Sequence, residues 1–84
     1  MKRKLKNEPA DDFYDEFDFE RIFIETVKQA RIEQGYSQRE LAEKVGVEQA
    51  AIARFESHRG NPTLTFLKKV LIGLDLQLTV TKSR

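Results

Sequence analysis

A chain of 84 residues with 39% hydrophobic content has room for one small domain with a thin core, which oligomerisation would supplement. It has no cysteine and a single histidine, His58, so disulfides, thiolate metal sites, zinc sets and histidine-based triads are excluded, and neither an enzyme nor a cofactor is expected. Net charge is only +1, but the charges are segregated along the chain, and that pattern says more than the sum.

Lys2, Arg3, Lys4 and Lys6 make the start basic, yet no apolar run follows them, so neither a signal peptide nor a membrane span is expected and the protein reads as cytoplasmic. Between Glu8 and Glu20 lie seven acids and no base, interleaved with Phe13, Tyr14, Phe17 and Phe19. Residues 1–17 therefore read as a flexible leader, basic and then acidic-aromatic, ahead of a modestly basic folded unit over 18–84. The aromatics need a surface. Either they extend the first helix and fold back on the domain, or Phe13, Tyr14 and Phe17 anchor the leader on a basic protein partner.

From Phe19 to Gln34, Phe19, Phe23, Val27 and Ala30 recur at helical spacing, with Gly35 as the stop. Ser37 with Glu40 three residues on is a capping box that opens a second helix, whose inner face carries Leu41, Ala42 and Val45; Gly46 ends it. A third helix starts near Glu48, with Ile52 and Phe55 inward. Two short helices joined by a glycine turn make a helix-turn-helix unit, whose second helix fits a DNA major groove. Ser57 to Pro62 is a turn cluster, Thr63 caps a fourth helix bearing Leu64, Leu67, Val70 and Leu71, and Gly73 stops it. Leu74, Leu76, Leu78 and Val80 then alternate with polar residues, which predicts a β-strand. One strand has no partner within such a chain, so it is expected to pair antiparallel with its copy across a two-fold axis, with those four side chains in a shared core.

The run Ser37-Gln38, Leu41-Ala42, Gly46-Val47, Ile52 and Glu56 resembles the lambda-repressor/Cro-like (Xre) DNA-binding family, and the terminal strand is similar to HipB-like and HigA-like antitoxins. The resemblance implies a mainly α, lambda-repressor-like domain of about four helices with a C-terminal β-strand pairing across a dimer. It implies an ion pair between Arg31 and Glu56, base reading by Gln49, Ala50, Ala51 and Arg54, and a Gln38 that contacts phosphate and buttresses Gln49. The residue types suit those tasks: glutamine pairs with adenine, arginine with guanine, and alanine methyls touch thymine methyls.

Arg39, Arg59 and Asn61 flank this set as phosphate contacts. Two residues depart from the family pattern. Glu48 stands where Ser or Thr is usual, and either caps the helix, accepts from cytosine or repels phosphate; His58 stands where glycine is common.

The expected partners are a palindromic operator in double-stranded DNA, with recognition helices about 34 Å apart, and a second copy of the chain. Likeness to HigA-type antitoxins adds a small basic toxin, a ribonuclease, whose operon the protein would repress. The rivals are a stand-alone Xre-type repressor and a protein-interaction module without DNA binding, the latter suggested by Glu48 and the acidic leader.

Overall fold

In the computed structural model, residues 16–80 are described, and they form four helices: α1 (Glu16–Glu33), α2 (Gln38–Val45), α3 (Gln49–Glu56) and α4 (Leu64–Gly73). The α2 helix packs on α3 and α4, and α1 packs on α3. Ile24, Val27, Leu41, Ala42, Ile52, Phe55, Val70 and Leu74 form the buried core. Phe55 is its aromatic centre. Its ring meets Phe23 of α1 edge-on at 6.3 Å and Phe66 of α4 at 5.7 Å, joining three helices through one side chain.

The local signals at α2 hold. Ser37 Oγ accepts from the Glu40 N–H at 2.9 Å and the Glu40 carboxylate accepts from the Ser37 N–H at 2.8 Å, completing the capping box. Thr63 likewise caps α4 by accepting from the Phe66 N–H at 3.0 Å.

α1 differs from its expected face. It begins at Glu16, inside the segment read as leader, and Phe19 is 63% exposed while Ile24 is buried. The inner stripe is Ile24, Val27 and Arg31, flanked by the half-buried Phe23 and Ala30; Phe19 lies one turn beyond the helices that cover it. Phe13 and Tyr14 lie outside the described residues, and Phe17 falls in the first turn of α1.

The expected terminal strand, which would pair across a dimer, does not form within the single chain. No strand occurs among the described residues, and 76–80 form no regular element. Within the single chain Leu74 is 0% exposed in the domain core and Leu76 is half-buried against it, whereas Leu78 and Val80 are exposed at 55% and 91%. The reason is a helix cap. Asp75 sits in the left-handed region at φ 59°, the Leu76 N–H donates to the Leu71 carbonyl at 2.8 Å, and the Asp75 N–H donates to the Ile72 carbonyl at 3.0 Å. That is a Schellman motif, which places Leu74 one turn after Val70 on the buried face of α4 and returns Leu76 onto it.

The remaining carbonyls at this helix end are satisfied from outside. Gly73 O accepts from Lys44 Nζ at 2.8 Å and Leu74 O from Gln34 Nε2 at 2.7 Å. Lys44 also donates to Tyr36 Oη at 2.7 Å and lies 4.7 Å from the centre of that ring. The C-terminus of α4 is thus tied to α2 and to the turn that follows α1, so the tail leaves the domain from a fixed point.

α3 ends in the same motif with an unfavourable residue at its key position. His58 has φ 64°, its N–H donates to Phe55 O at 3.1 Å, and the Arg59 N–H donates to Arg54 O at 3.0 Å. A left-handed L-residue costs about 1–2 kcal/mol that glycine avoids. In partial return, His58 Nε2 lies 2.8 Å from Glu25 Oε2, and this hydrogen bond is the main cause holding the Glu25 carboxyl below its usual range.

That contact is solvent-exposed and weak. His58→Gly is therefore expected to raise the melting temperature by several degrees at neutral pH. Because the Glu25 pKa is depressed on folding, its contribution is present above the ordinary carboxylate pKa and lost as pH falls through the folded value. The gain from His58→Gly should accordingly grow on acidification, and thermal melts at pH 7 and pH 3 check both statements.

Candidate nucleic-acid interface

The third helix owes its orientation to a polar cluster under its C-terminal end. The Arg31 guanidinium forms a fork on Glu56, with Nε to Oε2 at 2.7 Å and Nη2 to Oε1 at 3.0 Å, both groups buried. Arg31 Nη1 also donates to the Tyr36 carbonyl in the α1–α2 turn. Gln38 Nε2 donates to Glu56 Oε1 at 3.0 Å. One carboxylate therefore holds α1 and α2 against α3, and the fork satisfies charges that burial would otherwise penalise.

The structure thus places the expected partners Arg31 and Glu56 together and brings Gln38 to the same carboxylate. The glutamine is half-buried in the first turn of α2, and the side chain it bonds is Glu56. Sequence spacing alone could not find this contact, since the two residues stand 18 apart on different helices.

With Ile52, Phe55 and Glu56 buried, the opposite side of α3 is turned outward. Gln49, Ala50 and Arg54 are exposed, and Ala51 and Ala53 are half-buried at its edges. Glu48 occupies the N-cap position with extended backbone, but its side chain makes no cap hydrogen bond. The first N–H groups of α3 therefore keep their attraction for an anion, beside an exposed carboxylate that opposes one.

Arg54, Arg59, Gly60 and Asn61 border a single groove of about 240 Å³ together with Ala51, Phe55, Pro62, Thr63 and Phe66. Among the described residues no carboxylate lines it. Arg39 is separate from this group, exposed on α2 and 3.5 Å from Glu43 one turn later. The outer face thus combines an amide and methyls at the start of α3 with two guanidinium groups at its end and in the loop, a set able to meet base edges and phosphates.

Among the described residues no group of three His, Asp or Glu side chains is placed to hold a metal, and no helix is long and apolar enough to cross a membrane.

The antitoxin HipB of Escherichia coli O6:H1 is 36% identical over 76 residues, covering 84% of this chain and 81% of HipB. Among solved structures, a chain of a HipA-HipB-O2-O3 complex aligns with TM-score 0.70 at 35% identity, over 77% of this chain and 92% of that one. SinR in complex with DNA aligns with TM-score 0.60 at 42% identity, over 64% of this chain and 87% of that one. Residues 27–80, from the middle of α1 to the end of the described tail, match the helix-turn-helix family HTH_3, and the chain belongs to that family.

Proposed function

We propose that this protein is a sequence-specific DNA-binding repressor that serves as the antitoxin of a two-protein pair. The observation that carries the DNA-binding part is the outer face of α3, where Gln49, Ala50 and Arg54 are exposed while the helix is clamped from behind by Glu56. Gln49, Ala50, Ala51 and Arg54 read bases; Arg59 and Asn61 in the loop and Arg39 on α2 contact phosphates. Glu48 subtracts from phosphate attraction and limits binding to sequences that compensate it with base contacts. Two copies related by a two-fold axis address a palindromic site, joined through Leu78 and Val80, the apolar tail residues left exposed.

The antitoxin role is supported by the likeness to HipB. That likeness favours a HipA-like protein as the toxin over the ribonuclease implied by the HigA resemblance. Phe13, Tyr14 and Phe17 remain proposed anchors for it, since seven carboxylates in their segment disfavour a role on DNA.

Enrichment of binding sequences from a random DNA pool tests the reading, followed by the same measurement on Arg54→Ala. That variant is expected to keep its fold and lose about 1–3 kcal/mol of discrimination at one base pair per half-site, with weaker loss on unrelated DNA. Equal loss on enriched and scrambled DNA would refute base reading by Arg54. Co-expression with the product of the neighbouring reading frame tests the antitoxin role, which fails if growth is the same with and without this chain.

A further inference from the structure

We infer that Gly60 is the positioning residue for Arg54: the glycine's bare Cα face is the seat on which the guanidinium rests, and that seat sets which base pair the arginine can discriminate. The inference rests on the DNA-binding reading and adds to it a specificity determinant outside the recognition helix.

A Cβ added at Gly60 would lie 2.8 Å from Arg54 Nη2, 3.6 Å from Cζ and 3.7 Å from Nε, so the guanidinium lies against this residue along its length. Gly60 has φ +76°. The loop that presents it is fixed to the same arginine by main chain, because the Arg59 N–H donates to the Arg54 carbonyl at 3.0 Å. Seat and side chain therefore share one rigid frame.

Among the described residues no hydrogen bond or ion pair engages the Arg54 guanidinium, and none of those lining its groove is a carboxylate. Contact alone restrains it, leaving its N–H donors for a bidentate pair with guanine O6 and N7. An exposed arginine otherwise has among the largest rotamer freedoms of any side chain, and losing that freedom on binding weakens recognition. A seat made by the absence of a side chain reduces the loss without using a donor. The neighbouring Arg59 and Asn61 border the same groove, so the aimed guanidinium lies beside the groups proposed to take the adjacent phosphate.

The test is a double-mutant cycle between Gly60→Ala and Arg54→Ala, read on DNA enriched from a random pool and on its single-base-pair variants. Gly60→Ala is expected to lower the preference at the Arg54-dependent base pair about tenfold while leaving preferences elsewhere unchanged, and to have no further effect on specificity when Arg54 is already alanine. Backbone strain from the positive φ is present in both backgrounds and cancels in the cycle. Should Gly60→Ala fold poorly, Gly60→Asn carries the same Cβ with better tolerance of a left-handed backbone.

A second measurement needs no DNA: the Arg54 Nε–Hε resonance should shift and narrow toward that of a solvated arginine in either Gly60 variant. The same loss of specificity in both Arg54 backgrounds, loss spread evenly over all base pairs, or an unmoved Nε–Hε resonance would overturn the seat. Failure of the wild type to enrich any sequence would instead overturn the DNA-binding reading beneath it.

Discussion

Glu56→Gln is expected to destabilise the domain by about 3–5 kcal/mol, because it preserves shape while leaving the Arg31 guanidinium buried without a counter-charge. The carboxylate accepts from Arg31 Nε, Arg31 Nη2 and Gln38 Nε2, so an amide in its place presents hydrogens to at least one donor. For a domain of this size the loss is comparable with the whole stability. Urea titration followed by circular dichroism would measure it. Replacing both charges, Arg31→Met with Glu56→Leu, should recover a large part of the loss, but not all. The Tyr36 carbonyl would lose the donor it has in Arg31, and the Gln38 amide would lose its acceptor. A single variant that costs less than about 1 kcal/mol would mean that water reaches the pair and that α3 is held by its apolar face alone.

Deleting residues 77–84 should leave a folded monomer and reduce affinity for a palindromic site by about 10²-fold or more, since two linked half-sites gain that much from effective concentration. The cut is placed after Leu76 because the Leu76 N–H completes the cap of α4, and removing it would confuse dimerisation with folding. Leu78 and Val80 are the exposed apolar residues of this tail. Sedimentation would report the oligomeric state and melting the integrity of the domain. A dimer that survives the deletion would place the interface on the helices, where Leu64 and Ile72 of α4 are also exposed.

How far the fold could be read from the chain depended on whether each signal was local. The α2–α3 unit was legible because its punctuation lies within a few residues: the Ser37–Glu40 box, Gly46, and Ile52 with Phe55 one turn apart. The tail was less legible because two periods fit its start. Leu74, Leu76, Leu78 and Val80 alternate, while Val70 and Leu74 also stand one helical turn apart, and burial decided for the helix at Leu74. Asp75 supplied the left-handed residue without advertising it as a glycine would. Phe19 failed for the opposite reason, since periodicity cannot show where covering helices stop.

The site was legible in its outward residues, because once Ile52 and Phe55 are placed inward the helix leaves Gln49, Ala50 and Arg54 no other side. What supports them was less so. The Arg31–Glu56 pair, 25 residues apart, came from resemblance alone, and neither the Gln38–Glu56 bond nor the Gly60 seat has any signature in spacing.

The clamp on Glu56 also bears on how such a protein changes its target. Because α3 is oriented from behind, by groups on α1 and α2 that hold the buried Glu56, its outward positions are released from structural duty. Substitutions at 49, 50 and 54 can accumulate without re-aiming the helix, so paralogous copies in one cell are free to drift apart in the sites they recognise while keeping one architecture. Insulation of that kind requires the buried fork to stay constant while the face it supports varies.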